Sequence, residues 1–386
     1  MDEAEQAVVE RVAAEAPRWF PGTPPNPEVH LRPLGARRRS RLYAVSLGDA
    51  AAPPLLVAKV RNENTAVAGG PGRARRPVLA AVSVGEAELT ECEFAALRQL
   101  ESVFAGDDPR FGAVRALAHL PAHNSIVMGL APGVPLRDLL TRWSRLRPGH
   151  RREDPAPDAV FRAAGAWLRR FHDATPTTGH PVRQGTRQEV VAHFEALEEF
   201  LGRRLGRRFE PLAGAGSDLA RQLLPSGELP LAVGHGDFAP RNVMVDRAGR
   251  IVVLDPLGRW AVPEQEDLCR FLVGVQLNGL QVHTRGAAYA ENTLARWQSE
   301  VINGYYGPGA PWGAVRCYQL LLTLDKWSAL VEPARNETAP HKTAPHKTAP
   351  REGVKATLRK MSQDAASGYL RAQAERLLAQ ARSADG

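Results

Sequence analysis

The chain has 386 residues, 44% of them hydrophobic and 24% charged, an ordinary globular composition with length enough for two lobes around a large core. No apolar run approaches the roughly 20 residues that a membrane span needs, and Cys92, Cys269 and Cys317 lie outside any C-x-x-C spacing, which argues against a disulfide framework or a zinc site. The formal charge of +8 comes from arginines spread over many segments without interleaved aromatic residues, a pattern that disfavours nucleic acid as a partner and leaves a solvated basic surface as the plainer reading.

The acidic, amphipathic start MDEAEQAVVERVAAE lacks the basic head and apolar stretch of a signal peptide, so a cytoplasmic location is the default expectation. Residues 5 to 20 carry helical apolar spacing through Val8, Val9, Val12, Trp19 and Phe20. Three strands follow between about 28 and 60, in VHLRPLG, RLYAVSLG and PLLVAKV. AGGPGRARRP (68 to 77) reads as a basic insertion, and EAELTECEFAALRQLESVF (86 to 104) as a helix. AVRALAHLP and SIVMGL then complete a lobe of five strands around one helix.

Beyond Pro135 helices dominate, at 135–146, 158–173, 187–208 and 215–224. The strand pair NVMVD and RIVVLDP interrupts them. Further helices are expected near 264–280, 288–306, 311–331 and 352–382. TAPHKTAPHKTAP (338–350) repeats every five residues and is too rich in Pro and Lys to build a core, so a disordered or mobile loop is expected there.

The sharpest segment is Val233-Gly-His-Gly-Asp-Phe-Ala-Pro-Arg-Asn-Val-Met-Val-Asp246, followed by Arg250-Ile-Val-Val-Leu-Asp-Pro-Leu-Gly258. An isolated H-x-D is a weak signal, because Asp and Asn commonly cap their own turns. H-x-D-x-x-x-x-N, then a strand, a turn and a second strand closing on Asp, is far rarer. Phosphoryl transfer needs one carboxylate to orient the attacking hydroxyl and oxygen ligands that hold magnesium on the phosphates. Asp237 fits the first role, and Asn242 with Asp255 fits the second.

Such a site also needs a lysine on the third strand, locked by a glutamate on the next helix. Val57-Ala-Lys-Val60 supplies Lys59 within an apolar strand. Glu93 shares a helix face with Leu89, Ala96, Leu97 and Leu100, and an inward carboxylate requires a partner. A Lys59–Glu93 pair is the favoured reading. The alternative is that Glu88 or Glu91 solvates the outer face and Glu93 snorkels.

The His-Gly-Asp…Asn…Asp set, the VMGLAPGVPL segment and the WLRRFHDATP helix end resemble the aminoglycoside phosphotransferase and choline kinase-like superfamily, over roughly residues 28 to 330. The resemblance implies an α+β protein-kinase-like bilobal fold. A small antiparallel-sheet lobe with one main helix (1–130) would precede a larger, mostly helical catalytic and acceptor-binding lobe (131–386). It implies ATP or GTP with magnesium as cofactors and a small-molecule hydroxyl as acceptor. Val127 to Ala131 would form the hinge, where Met128, Gly129 and Ala131 contact the nucleotide through the Gly129 carbonyl and the Ala131 amide. Asp267 resembles a family aspartate that braces the catalytic loop, although helix capping explains it equally well.

Departures from the family pattern are also clear. Gly35-Ala-Arg-Arg-Arg-Ser40, between the first two strands, holds one glycine rather than G-x-G-x-x-G. Gly236 stands where regulated protein kinases carry an arginine, and eleven residues between Asp255 and Asp267 leave no room for a peptide-binding platform. A small-molecule acceptor of aminoglycoside, sugar or amino-alcohol type is therefore favoured over an atypical protein kinase. A catalytically inactive nucleotide-binding pseudokinase is opposed by the intact Lys59, Asp237, Asn242 and Asp255. Glu264, Glu266, Glu291, Glu300, Asp325 and Glu332 are expected to frame the acceptor pocket, with arginines offsetting them.

Overall fold

The computed structural model describes residues 1–37, 40–62, 76–77, 85–106, 108–146, 154–332 and 350–383, at 36–37, 350–362 and 383 the backbone alone. Most of the basic insertion, part of the Gly35–Ser40 turn and the TAPHK repeat as far as residue 349 lie outside the described residues.

Helix α1 (Glu3–Trp19) opens with a reciprocal capping box between Asp2 and Glu5. Strands β1 (Val29–Arg37), β2 (Ser40–Leu47) and β3 (Leu56–Arg61) precede helix α2 (Glu86–Val103). Strands β4 (Phe111–Gly112), β5 (Ala116–Leu120) and β6 (Ser125–Gly129) follow. Five of these strands pair antiparallel in the order β1-β2-β3-β6-β5. Side chains alternate across the sheet with a period of two. Leu56, Ala58, Val60 and Val127 accordingly pack with Val8, Val12 and Trp19 of α1. Val57, Ile126 and Met128 pack with Leu97 of α2. Lys59 shares the parity of Val57, which directs it to the α2 side.

The rest of the chain is mainly helical: β7 (Val134–Pro135), α3 (Leu136–Arg142), α4 (Pro157–Ala174), α5 (Arg187–Leu205), α6 (Ala215–Leu223), β8 (Leu231–Val233), β9 (Val243–Val245), β10 (Ile251–Val253), β11 (Ala261–Pro263), α7 (Gln265–Gln276), α8 (Gly279–His283), α9 (Glu291–Tyr306), α10 (Trp312–Val331) and α11 (Pro350–Ser383). The single helix expected over 264–280 is two, because the Asn278 side chain accepts the Leu280 amide at 3.0 Å and starts α8 afresh. Helix α5 ends at Leu205, where Gly206 turns the chain with φ +55°.

Helices α4 and α9 cross at close range. A Cβ on Gly165 would sit 2.0 Å from the Val301 carbonyl oxygen, and one on Gly304 would sit 2.1 Å from that of Arg162. The strand pair anticipated around residue 248 is the antiparallel hairpin β9–β10. Strand β4 adds to β10 in parallel, with Phe111 opposite Ile251, giving a second sheet β4-β10-β9-β7. Among the described residues no helix is long and apolar enough to cross a membrane.

Candidate active site

The loop between β8 and β9 carries His235, Gly236 and Asp237. Gly236 adopts φ +82°, a conformation that costs a residue with a Cβ more than it costs glycine. The carboxylate of Asp267, in the first turn of α7, accepts the His235 amide at 2.5 Å and the Gly236 amide at 3.1 Å. The N-cap of α7 is Glu264, so Asp267 acts as the brace of the loop and not as a helix cap. Burial alone would raise the pKa of Asp267. His172, whose Nε2 lies 3.5 Å away, together with His235 and Arg270 outweighs burial and holds it at about 2. The other ring nitrogen of His172, Nδ1, meets the Tyr305 hydroxyl at 2.6 Å, which holds this buried histidine behind the loop. His235 is fully buried among Trp167, Phe171 and Phe238, and that burial lowers its pKa. The loop therefore rests on a rigid aromatic floor.

Asn242 closes the loop. Its Nδ2 donates to the Asp237 backbone carbonyl at 2.9 Å and to Asp237 Oδ2 at 2.8 Å. Arg241 donates to the other oxygen, Asp237 Oδ1, a contact that the spacing of the motif did not disclose. Asp255 follows β10 with φ +60°, and the neighbouring Leu254 amide bonds the Asn242 carbonyl at 2.8 Å. The hairpin thus brings Asp255 back to the loop carrying Asp237 and Asn242, as the spacing required.

Lys59 joins this hairpin to the first lobe. Its Nζ donates to Glu93 at 2.7 and 2.9 Å and to Asp255 Oδ1 at 3.0 Å. The Lys59–Glu93 pair anticipated from helix periodicity is formed. Arg61, two residues along β3, reaches the same carboxylate at 2.5 Å and Glu86 at 3.2 Å. Glu93 is wholly buried, so two cations compensate one desolvated anion. Sequence reasoning missed Arg61, because an arginine at a strand end reads as a solvated charge.

Met128 is buried beside Leu97 and Val252 and stands opposite Val57 in the sheet. Gly129 ends β6, its amide taken by the Arg115 carbonyl at 2.9 Å. Ala131 packs partly buried against the same cluster. Met128 and Gly129 therefore border the strand that carries Lys59.

The acids expected around an acceptor pocket separate. Glu291 pairs with Arg376, Glu300 with Arg162 and Glu264 with Arg169. Glu266, Asp325 and Glu332 instead meet Arg183, Arg270 and Arg76. Trp260, Trp297, Tyr305 and Trp327 are core residues, while Trp312 is exposed. Among the described residues no group of three or more His, Cys, Asp or Glu is arranged to hold a metal by itself.

Residues 58–256 match the family model described as the phosphotransferase enzyme family, about half of the chain. No curated protein matches the sequence. Solved structures with the same fold include a choline/ethanolamine kinase family protein from Mesorhizobium loti, 14% identical with TM-score 0.52, covering 98% of this chain and 99% of that one. Choline kinase from Cryptosporidium parvum Iowa II is 9% identical with TM-score 0.53, covering 97% and 96%. A thermostable mutant of aminoglycoside phosphotransferase APH(4)-Ia, in ternary complex with ADP and hygromycin B, is 13% identical with TM-score 0.50, covering 96% and 98%. At these identities the likeness concerns the fold, which is the protein-kinase-like bilobal arrangement.

Proposed function

Since the chain belongs to the phosphotransferase enzyme family, we propose that it transfers the γ-phosphoryl group of ATP or GTP to a hydroxyl of a small molecule, with Asp237 as base. The observation that carries this reading is the position of Lys59. It lies within 3.0 Å of both Glu93 and Asp255, so one ammonium couples β3, α2 and the end of the β10 hairpin. Lys59 would meet the α- and β-phosphates, with Met128, Gly129 and Ala131 along the purine.

Asp255 and Asn242 present a carboxylate and an amide oxygen, hard ligands of the kind magnesium takes, and the Asp255 side chain is 27% exposed. These two residues would hold the ion, which when bound neutralises charge on the phosphates. Asp237 accepts the hydroxyl proton as the acceptor oxygen bonds to the γ-phosphorus. The bond from that phosphorus to the bridging β-oxygen breaks, and its electron pair leaves on the nucleoside diphosphate. Asn242 and the Asp267 brace fix the Asp237 carboxylate for that role.

Nucleotide consumption with magnesium, measured across aminoglycosides, sugars, amino alcohols and nucleosides, tests the reading. Acceptor-dependent turnover that disappears in Asp237→Ala is the expected result. Absence of turnover together with absence of any magnesium–nucleotide thermal shift would overturn it.

A further inference from the structure

Two cations meet at Glu93, and Lys59 is the one that also touches Asp255. Arg61 follows Lys59 by two residues on β3, so both side chains fall on the face turned to α2. Glu86 and Glu93 lie seven residues apart on α2, two turns along one helix face. The Arg61 guanidinium reaches both, with Nη1 on Glu86 at 3.2 Å and Nη2 on Glu93 Oε2 at 2.5 Å. Its Nε is buried without a partner, so the two terminal nitrogens carry the contact. With its side chain 9% exposed, Arg61 is turned to α2 and closed to a phosphate.

Lys59 has no donor to spare. Its contacts with Glu93 Oε1 at 2.7 Å, Glu93 Oε2 at 2.9 Å and Asp255 Oδ1 at 3.0 Å match the three N–H donors of an ammonium. A phosphate oxygen must therefore displace one of them. Asp255 is held at the longest distance and is 27% exposed against 1% for Glu93, so Asp255 is the partner that gives way. Glu93 remains, and a buried carboxylate holds its cation strongly because water does not share its charge. Were Lys59 alone on Glu93, that pull would compete with the phosphates for the ammonium. Arg61 divides it.

We infer that Arg61 is a positioning residue for nucleotide binding. It compensates Glu93 and keeps α2 docked on β3, which frees the Lys59 ammonium to exchange Asp255 for a phosphate oxygen. The inference rests on the phosphotransferase reading and deepens it, adding a residue that sets nucleotide affinity without touching the nucleotide. Arginine suits the task because its planar fork holds two carboxylates at once, where lysine offers a single point of charge.

The test titrates full-length protein with magnesium and a non-hydrolysable ATP analogue by calorimetry, at a temperature where each variant is folded. Stoichiometry reports the folded fraction and the isotherm reports Kd, which separates lost affinity from lost fold. Arg61→Met should bind the analogue about tenfold more weakly, the lower end for a charged hydrogen bond, because the effect reaches the phosphate through Glu93. Arg61→Lys should fall between that variant and wild type. In a Glu93→Gln background Arg61→Met should weaken binding no further, since the anion through which it acts is gone. Wild-type Kd in Arg61→Met, however far its melting temperature falls, would overturn the inference and leave Arg61 a staple of the fold. An equal loss in both backgrounds would also sink it, because a mere loss of positive field is indifferent to Glu93. If Arg61→Met does not fold, Arg61→Lys decides: weaker binding supports the inference and wild-type Kd overturns it. Failure of the wild type to bind the analogue would remove the phosphotransferase reading and this inference with it.

Discussion

Asp237 and Arg241 face each other across one turn of the loop between β8 and β9, the guanidinium on Oδ1 of the carboxylate whose Oδ2 is fixed by Asn242 at 2.8 Å. Both oxygens of the proposed base are therefore oriented. An acceptor hydroxyl must share or displace the Arg241 contact. Replacing Asp237 with Asn should lower kcat by about 10²- to 10⁴-fold, the usual contribution of a general base, and leave magnesium–nucleotide affinity unchanged. Arg241→Gln should cost less, about tenfold, because the base persists but loses one orienting contact. Steady-state kinetics beside nucleotide titration separate the two effects.

Glu93 is the anion that two cations share. Glu93→Gln would leave Lys59 and Arg61 buried against a neutral amide, and breaking a buried pair from one side costs about 3–5 kcal/mol. Urea unfolding should show that loss. Nucleotide KM should rise in the same variant, since Lys59 then has Asp255 as its remaining partner.

Asp267 has a depressed pKa, about 2 against an ordinary 3.8, so its contribution is complete above about pH 4. That contribution, about 2 kcal/mol, disappears as pH falls through 3.8 toward 2. Urea unfolding from pH 3 to pH 6 should find Asp267→Asn less stable than wild type by about that amount at pH 6. The gap should narrow at pH 3. A constant gap would show that the carboxylate's charge is not what braces the loop.

Gly165 and Gly304 let α4 and α9 touch backbone to backbone. Gly165→Ala should force the helices apart and cost about 1–3 kcal/mol, the range for overpacking. Differential scanning calorimetry checks it. An unchanged melting temperature would mean that the pair slides without penalty.

Much of this arrangement was legible in the sequence. The long helices and the strands that form the first lobe's sheet have clear periodicity, and the His-Gly-Asp loop with its hairpin fixes the spacing of Asp237, Asn242 and Asp255. Lys59 and Glu93 were readable because each is a charge on an otherwise apolar face. Strands β4, β7, β8 and β11 were not readable, since two or three residues carry no alternation and pair only when the fold delivers a neighbour. Arg61 and Arg241 were hidden for a different reason. In a chain with 50 Lys and Arg residues, one more cation looks like solvated surface until its partners are known.

Strand β4 changes what the two lobes are as pieces. The chain leaves α2, lays Phe111 and Gly112 against β10, and returns to β5 before its final passage near Ala131. The boundary is stitched by more than one pass of backbone, so a cut near residue 131 does not release an intact module. A fragment ending there keeps Phe111 but loses Ile251, its cover in the sheet. Domain exchange between relatives of this fold would do better to carry the β9–β10 hairpin along with the first lobe.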